Sequence, residues 1–131
     1  MTPEQAIAYM GLPWKIDGRG PDAFNCWYLL CHIQRTYFGK EFPQVDVTDG
    51  EECTRVHAEY LKSGAWEVVS VPQHGDGVVL KGGRDPHVGV YLDFDGGGVL
   101  HCQENDGVIF TPRPALRTMG YGRATFYRIH K

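Results

Sequence analysis

Cys26 is the residue of this chain best placed to act as a nucleophile. It follows Asn25, a residue type that often caps helices, and it begins a segment in which Leu29, Ile33 and Tyr37 recur at helical spacing. A thiol at the first position of a helix faces the positive end of the helix dipole, which lowers its pKa and favours the thiolate. The sequence therefore predicts a reactive thiol at Cys26.

Two histidines on neighbouring predicted strands are candidates for the base and the orienting residue that such a thiol needs. His87 begins the apolar run HVGVYLD, and His101 lies in VLHCQ, with the turn sequence DGG between the two runs. If the hairpin turns there, His87 pairs with Gln103, and His101 lies diagonally beside His87 on the same face. The pattern predicts a Cys26/His87 dyad for nucleophilic catalysis, with a polar residue that orients the imidazole.

A structural zinc site is an alternative use of the cysteines. Cys26, Cys31, Cys53 and His57 could supply ligands, because Cys53 and His57 lie four residues apart and would share a helix face. The spacing from Cys26 to Cys31 is not that of a usual zinc knuckle, and a lone thiol is more often a small buried apolar side chain. The thiol chemistry itself calls for no metal or organic cofactor.

The composition is that of one globular domain, and we expect residues 1–131 to form a single unit. Hydrophobic residues make up 42% of the chain and charged residues 22%. With 13 basic against 16 acidic side chains the net charge is −3, so nucleic-acid binding is not expected. No apolar run approaches the roughly 20 residues of a membrane span, and the N-terminal residues lack the pattern of a secretory signal.

The predicted elements are helices in the first half and strands in the second. A capping box at Thr2 and Gln5 begins a short helix that closes at Gly11, and a second helix ends at Gly39. A third helix begins at one of two capping boxes within 48–52 and ends at residue 64. Strands are predicted at 66–71, 77–81, 87–93, 98–103 and 124–130. This order favours an α+β domain with its helices on one side of an antiparallel sheet.

Three blocks of the chain resemble the NlpC-type papain-like cysteine peptidases of bacterial cell walls, especially their short phage-tail forms. GLPWKIDGRGPDAFNCWYLL resembles the family's Gly-rich loop and nucleophile helix, and VPQHGDGVVL its Pro-x-x-Gly-Asp turn. DPHVGVYLDFDGGGVLHC resembles its base strand, hairpin and third polar residue. The resemblance covers most of residues 5–110. It implies a papain-like α+β fold, with N-terminal helices packed on a curved antiparallel sheet of five to six strands and a nucleophilic cysteine at a helix N-terminus.

The resemblance also implies roles for individual residues. Cys26 matches the nucleophile, His87 the general base and His101 the third residue, which orients the imidazole. Asn25 stands where the family usually has Asp, so the cap is kept and a negative charge is lost. The backbone N–H of Cys26 is the expected oxyanion donor.

Other departures from the family pattern surround the expected substrate groove. Trp27-Tyr28 replace the usual Ser-Gly, and Trp14 is nearest to the position where members often carry a loop Tyr. The candidates to bind substrate carboxylates and amine are Arg19 and, on a second loop, Arg84 and Asp85, although solvated loop residues are the commoner case. We expect the groove and oxyanion site to be formed by Trp14, Arg19, Asn25, Trp27 and Gln103.

By resemblance, the substrate is a peptidoglycan stem peptide, and the bond is the γ-D-glutamyl–diaminopimelate amide. The lack of a signal peptide fits a phage or prophage protein, made in the host cytoplasm and brought to the cell wall within a tail, with other tail-tip proteins as partners. Two alternatives remain open. One is a catalytically weak or inactive tail-tip assembly module of the same fold, and the other is acyl transfer to an amine or alcohol.

Overall fold

The computed structural model describes residues 1–40, 50–82 and 87–130, and of residues 50–54 and 57 it describes the backbone alone. The helices are α1 (Pro3–Ile7), α2 (Cys26–Phe38) and α3 (Gly50–Ser63). The strands are β1 (Trp66–Val69), β2 (Gly77–Lys81), β3 (His87–Leu92), β4 (Gly98–Gln103), β5 (Gly107–Pro112) and β6 (Arg123–Ile129). Single 3-10 turns lie at Phe94–Gly96 and Arg113–Ala115.

Helix α1 begins at the predicted capping box. The Thr2 hydroxyl accepts a hydrogen bond from the Gln5 N–H at 3.2 Å, and the Gln5 side chain accepts one from the Thr2 N–H at 2.8 Å. The helix ends at Ile7 rather than at Gly11, because the chain continues into turns. The capping box is confirmed and the length of the helix is corrected.

The bounds of α2 are those that its capping residues predict. The Asn25 side chain accepts from the Tyr28 N–H at 2.8 Å, and Gly39 ends the helix in the left-handed conformation with φ 65°. Helix α3 ends before Gly64, as expected. The capping boxes proposed for its start fall on positions 48–52 and lie outside the described residues and side chains.

The six strands form one antiparallel sheet in the order β1-β6-β2-β3-β4-β5. Strands β3 and β4 pair Val90 with Leu100 and Tyr91 with Val99. This is the predicted hairpin register. The register matters because a shift of one residue would move every side chain of the strand to the opposite face.

Strand β5 is absent from the list of strands predicted from sequence. It pairs with β4 along its whole length, from Gly98 opposite Pro112 to Gln103 opposite Gly107. The run GVIFTP has no alternation of polar and apolar residues, so its own pattern does not separate a strand from a connection. Residues 111–123, whose role the sequence left open between a lid and a connection, begin inside this strand and lead back to the sheet through β6.

Each face of the sheet is covered by a different layer. Val88, Val90 and Leu100 pack on the face toward α2, in a core that also holds Phe24 of the preceding loop. The opposite face carries Val78, Leu80, Tyr91, Val99 and Phe126, which pack against Leu116 and Tyr121 of the segment after β5. By strand alternation His87 and His101 belong to this second face. In the described parts of the chain no helix is long and apolar enough to cross a membrane.

Candidate active site

The start of α2 is fixed by the loop that precedes it. Phe24, two residues before Cys26, is fully buried, and its backbone N–H donates to the carbonyl of Pro13 at 3.1 Å. The Asn25 N–H donates to the carbonyl of Gly18 at 2.9 Å, and a Cβ at position 18 would lie 2.8 Å from the Phe24 backbone. The loop can therefore close against the helix only with glycine at position 18, and this closure places the half-buried Cys26 at the first helical position.

Asn25 uses both ends of its amide. Its oxygen caps α2 at the Tyr28 N–H, and its Nδ2 donates to the carbonyl of Ile16 at 3.0 Å. The side chain is 5% exposed. An Asp at this position would keep the cap and lose the bond to the loop. The departure from the family's usual Asp thus has a structural use here.

His87 and His101 form a hydrogen-bonded pair. Nε2 of His87 lies 2.8 Å from Nδ1 of His101, and Nε2 of His101 lies 2.9 Å from the Thr111 hydroxyl. His101 has no exposed surface, and this burial, with a smaller contribution from His87, lowers the pKa of His101 to about 3. His101 is therefore neutral at physiological pH. The diagonal arrangement that the hairpin register predicts for the two histidines is present.

Gly89 allows the two histidines to approach each other. It lies between His87 and Tyr91 on the same face of β3. A Cβ at position 89 would come within 2.6 Å of a Val99 methyl carbon and 3.0 Å of the His101 Cβ, closer than packed side chains tolerate. The motif His-Val-Gly thus places the His87 imidazole two residues from a glycine that leaves room for His101 on β4.

Contacts of Cys102 relate the thiol to the histidine pair. The Cys102 thiol donates to the Phe24 carbonyl at 3.2 Å, and Cys26 interacts with it electrostatically. Burial, with that smaller contribution from Cys26, raises the pKa of Cys102 to about 12. Cys102 follows His101 on β4. The N-terminus of α2 therefore lies at the open end of the β3–β4 hairpin, the end opposite its turn, where both histidines are found. Cys26 approaches from the α2 face, and His87, the first residue of its strand, lies on the other face at the strand end.

Tyr121 and Gln103 complete the surroundings of His87. The Tyr121 ring stacks on the imidazole, and its hydroxyl donates to the Gln103 side-chain oxygen at 3.0 Å. The Gln103 amide donates in turn to Asp106 at 2.6 Å. Sequence reasoning included Gln103 and missed Tyr121, which lies in the connection to β6. An aromatic residue within that Gly-rich connection was the only available signal.

Two further predicted groove residues, Trp14 and Arg19, lie in different environments. Trp14 is half-buried and its backbone bridges Phe24, so it lies beside the start of α2. Arg19 is exposed and holds its guanidinium 4.5 Å from the centre of the Tyr28 ring, above the first turn of α2. Arg84 and Asp85 lie outside the described residues.

Trp27 was wrongly assigned to the groove. It is 1% exposed and lies in the core, where its indole stacks at 6.1 Å on Tyr60 and at 6.1 Å on Trp66. The second helical position faces inward here, because α2 is buried along most of its length. A large aromatic residue at this point fills the space between α2, α3 and β1 instead of contacting substrate.

Of the four ligands in the zinc hypothesis, only Cys26 and Cys31 have described side chains. Cys31 is buried, and burial raises its pKa to about 12, as for a thiol packed as a small apolar side chain. No group of three or more potential ligands that could hold a metal is found among the described side chains. Cys53 and His57 have side chains outside that set, so zinc at these positions stays an untested alternative.

Comparison with known proteins gives a structural likeness alone. No protein-family model matches the sequence, and no curated protein matches it. A solved structure that matches is the crystal structure of the NlpC/p60 domain of the peptidoglycan hydrolase SagA, with a TM-score of 0.60 and 19% sequence identity. The match covers 94% of this chain and 92% of that one. The chain therefore has the papain-like α+β fold of NlpC/p60 domains, with Cys26 at the start of α2.

Proposed function

We propose that this protein is a cysteine peptidase that hydrolyses the stem peptides of peptidoglycan, with Cys26 as nucleophile, His87 as general base and His101 as the residue that orients the base. The observation that carries the proposal is the hydrogen-bonded His87–His101 pair at the hairpin end where α2 begins. The likeness to an NlpC/p60 domain of a peptidoglycan hydrolase supports the substrate class.

The proposed reaction begins with proton transfer from the Cys26 thiol to Nδ1 of His87. The thiolate, favoured by the helix N-terminus, attacks the carbonyl carbon of the amide and forms a C–S bond. Backbone N–H groups at the start of α2 stabilise the resulting oxyanion. The imidazolium of His87 returns its proton to the leaving amine as the C–N bond breaks, which leaves a thioester.

Hydrolysis of the thioester completes the cycle. Neutral His87 takes a proton from water, the hydroxide equivalent attacks the thioester carbonyl, and the thiol leaves with the proton. His101 stays neutral throughout, because burial and the neighbouring His87 lower its pKa. It therefore remains a hydrogen-bond partner to the base and does not compete with it for the proton.

The finer assignment follows from the resemblance and from charge. Stem peptides carry free carboxylates, and the exposed Arg19 guanidinium above the first turn of α2 is suited to bind one of them. We infer the γ-D-glutamyl–diaminopimelate amide as the bond that is cut. A role in a phage or prophage tail, beside other tail-tip proteins, is part of the same proposal.

Digestion of purified sacculi tests the function. The intact protein, Cys26→Ser and Cys31→Ser are each incubated with sacculi, and the released fragments are identified by mass spectrometry. We expect cleavage by the intact protein and by Cys31→Ser, whose substitution changes a buried thiol of the same helix, and none by Cys26→Ser. Release of no fragments by the folded intact protein would contradict the proposal and favour a non-catalytic module of the same fold. An added amine nucleophile reports acyl transfer as a mass increment on the fragment.

A further inference from the structure

Thr111 lies behind the histidine pair, at a position that the proposed mechanism does not use. Its hydroxyl oxygen is 2.9 Å from Nε2 of His101 and 3.3 Å from the Met119 sulfur. The residue is 4% exposed. The four groups form a row that leads from His87 through His101 and Thr111 to Met119.

The contact with the sulfur indicates the direction in which the row is hydrogen-bonded. A thioether has no proton to give, so in this contact the Thr111 hydroxyl is the donor and Met119 the acceptor. The hydroxyl has only one proton. With that proton directed to the sulfur, the oxygen accepts from His101, and the proton of the His101 ring is on Nε2.

The tautomer of His101 in turn sets the hydrogen-bonding role of His87. A neutral imidazole carries one ring proton, and burial keeps His101 neutral, so its Nδ1 is an acceptor when Nε2 holds the proton. Nδ1 of His101 then accepts from the N–H at Nε2 of His87, across 2.8 Å. In neutral His87 the remaining lone pair is at Nδ1.

We propose that Thr111 is a positioning residue that, with Met119 as its acceptor, sets the ring tautomers of His101 and His87 and so makes Nδ1 the basic atom of His87. The consequence for catalysis rests on the proposed function, but the tautomers themselves do not. The same hydrogen bonds persist when His87 becomes an imidazolium, because its Nε2 donates in both states. Proton transfer from Cys26 would thus need no rearrangement behind the base.

The reverse direction shows what the arrangement avoids. If Thr111 donated to His101, the His101 proton would be on Nδ1 and would point at Nε2 of His87. His87 would then have to accept at Nε2 and carry its own proton on Nδ1, where a base must have a lone pair. In that direction a second proton on His87 would oppose the one on His101.

The test is the tautomeric state, read from the imidazole ¹⁵N chemical shifts of the intact protein and three variants. Thr111→Val removes the hydroxyl at constant shape, Thr111→Ser keeps it, and Met119→Leu replaces the acceptor sulfur by an apolar side chain of similar size. We expect both histidines of the intact protein and of Thr111→Ser to carry the neutral-form proton on Nε2. In Thr111→Val and Met119→Leu, we expect a mixture with the Nδ1-protonated form.

Steady-state kinetics on a soluble stem peptide, measured in parallel, give the consequence for catalysis. We expect Thr111→Val to lower kcat by roughly tenfold or more, with KM changed less than twofold, and Thr111→Ser to restore it. Met119→Leu, at a half-buried position, serves if Thr111→Val does not fold. Nδ1-protonated His101 in the intact protein, or unchanged tautomers in both Thr111→Val and Met119→Leu, would overturn the inference. The spectra need no substrate. An inactive protein with the expected tautomers would therefore contradict the proposed function and still support this inference.

Discussion

The Tyr121 ring lies parallel to the imidazole of His87, with the ring centres 5.6 Å apart and 9° between the planes. The Tyr121 hydroxyl donates to Gln103, which is itself held by Asp106. His87 is thus fixed against an aromatic face and, at Nε2, by His101. A residue from the connection between β5 and β6 therefore helps to orient the proposed base.

Substitution of Tyr121 separates the stack from the hydrogen bond. Tyr121→Phe keeps the ring against His87 and removes the bond to Gln103, so we expect at most a fewfold loss of kcat. Tyr121→Leu removes the stack, frees the imidazole to rotate, and should lower kcat by roughly tenfold or more with little change in KM. Steady-state kinetics on a soluble stem peptide measure both. Equal loss in the two variants would show that the hydroxyl, and not the stack, positions His87.

Burial of His101 predicts a dependence of stability on pH. The folded-state pKa, about 3, lies below the ordinary 6.5, so between these values the unfolded chain binds more protons than the folded one. This contribution to stability is present above pH 6.5 and is lost as the pH falls, at up to about 1.4 kcal/mol for each pH unit. Urea unfolding from pH 7 to pH 4 measures it.

His101→Asn is the control for that titration. Asn has no ring proton to gain but can accept a hydrogen bond from His87. The carboxylates titrate in both proteins, so any difference between the two pH dependences is the contribution of His101. We expect the free energy of unfolding of the variant to fall less steeply with decreasing pH. Parallel slopes for the two proteins would mean that folding does not shift the pKa of His101.

The sequence was sufficient for the elements whose signals are local. Asn25 and Gly39 mark the ends of α2 by their own conformational preferences, and the two runs around the DGG turn fix the register that brings His87 beside His101. Those signals also predicted the place of Cys26, since a cysteine after a capping residue needs no tertiary information to be placed at a helix N-terminus.

The parts that could not be predicted depend on contacts between distant segments. Thr111, Met119 and Tyr121 lie on an edge strand and in a connection without periodicity, and only the sheet brings them to the histidines. The assignment of Trp27 to the substrate groove was wrong for the same reason. Whether the second residue of α2 faces a groove or the core is decided by α3 and β1, which meet it from elsewhere in the chain.

Asn25 variants test the cap and the charge separately. Asn25→Ala loses the cap and the bond to Ile16, and should destabilise the protein by about 1–2 kcal/mol in chemical denaturation. Asn25→Asp keeps the cap, but its carboxylate next to Cys26 disfavours the thiolate, so we expect slower alkylation of Cys26 at neutral pH. Faster alkylation in Asn25→Asp would contradict this view of the N-terminus of α2.

Trp27→Ala tests the assignment of this side chain to the core. Removing a buried indole that stacks on Tyr60 and Trp66 should cost about 3–5 kcal/mol of stability. Trp14→Ala, at a half-buried position, is the matched control and should cost less. Unfolding of both by urea gives the comparison. A stable Trp27→Ala protein with weakened substrate binding would return Trp27 to the groove.

The central claim is that His87 activates Cys26, and the most direct measurement is the rate at which iodoacetamide labels each cysteine as the pH is varied. Mass spectrometry of the digested protein assigns each label to its residue. We predict that near pH 7 Cys26 reacts at least about tenfold faster than Cys31 and Cys102, whose pKa burial raises to about 12, and that His87→Ala removes most of this advantage. Equally slow labelling of the cysteines, or a Cys26 rate that does not depend on His87, would contradict the account.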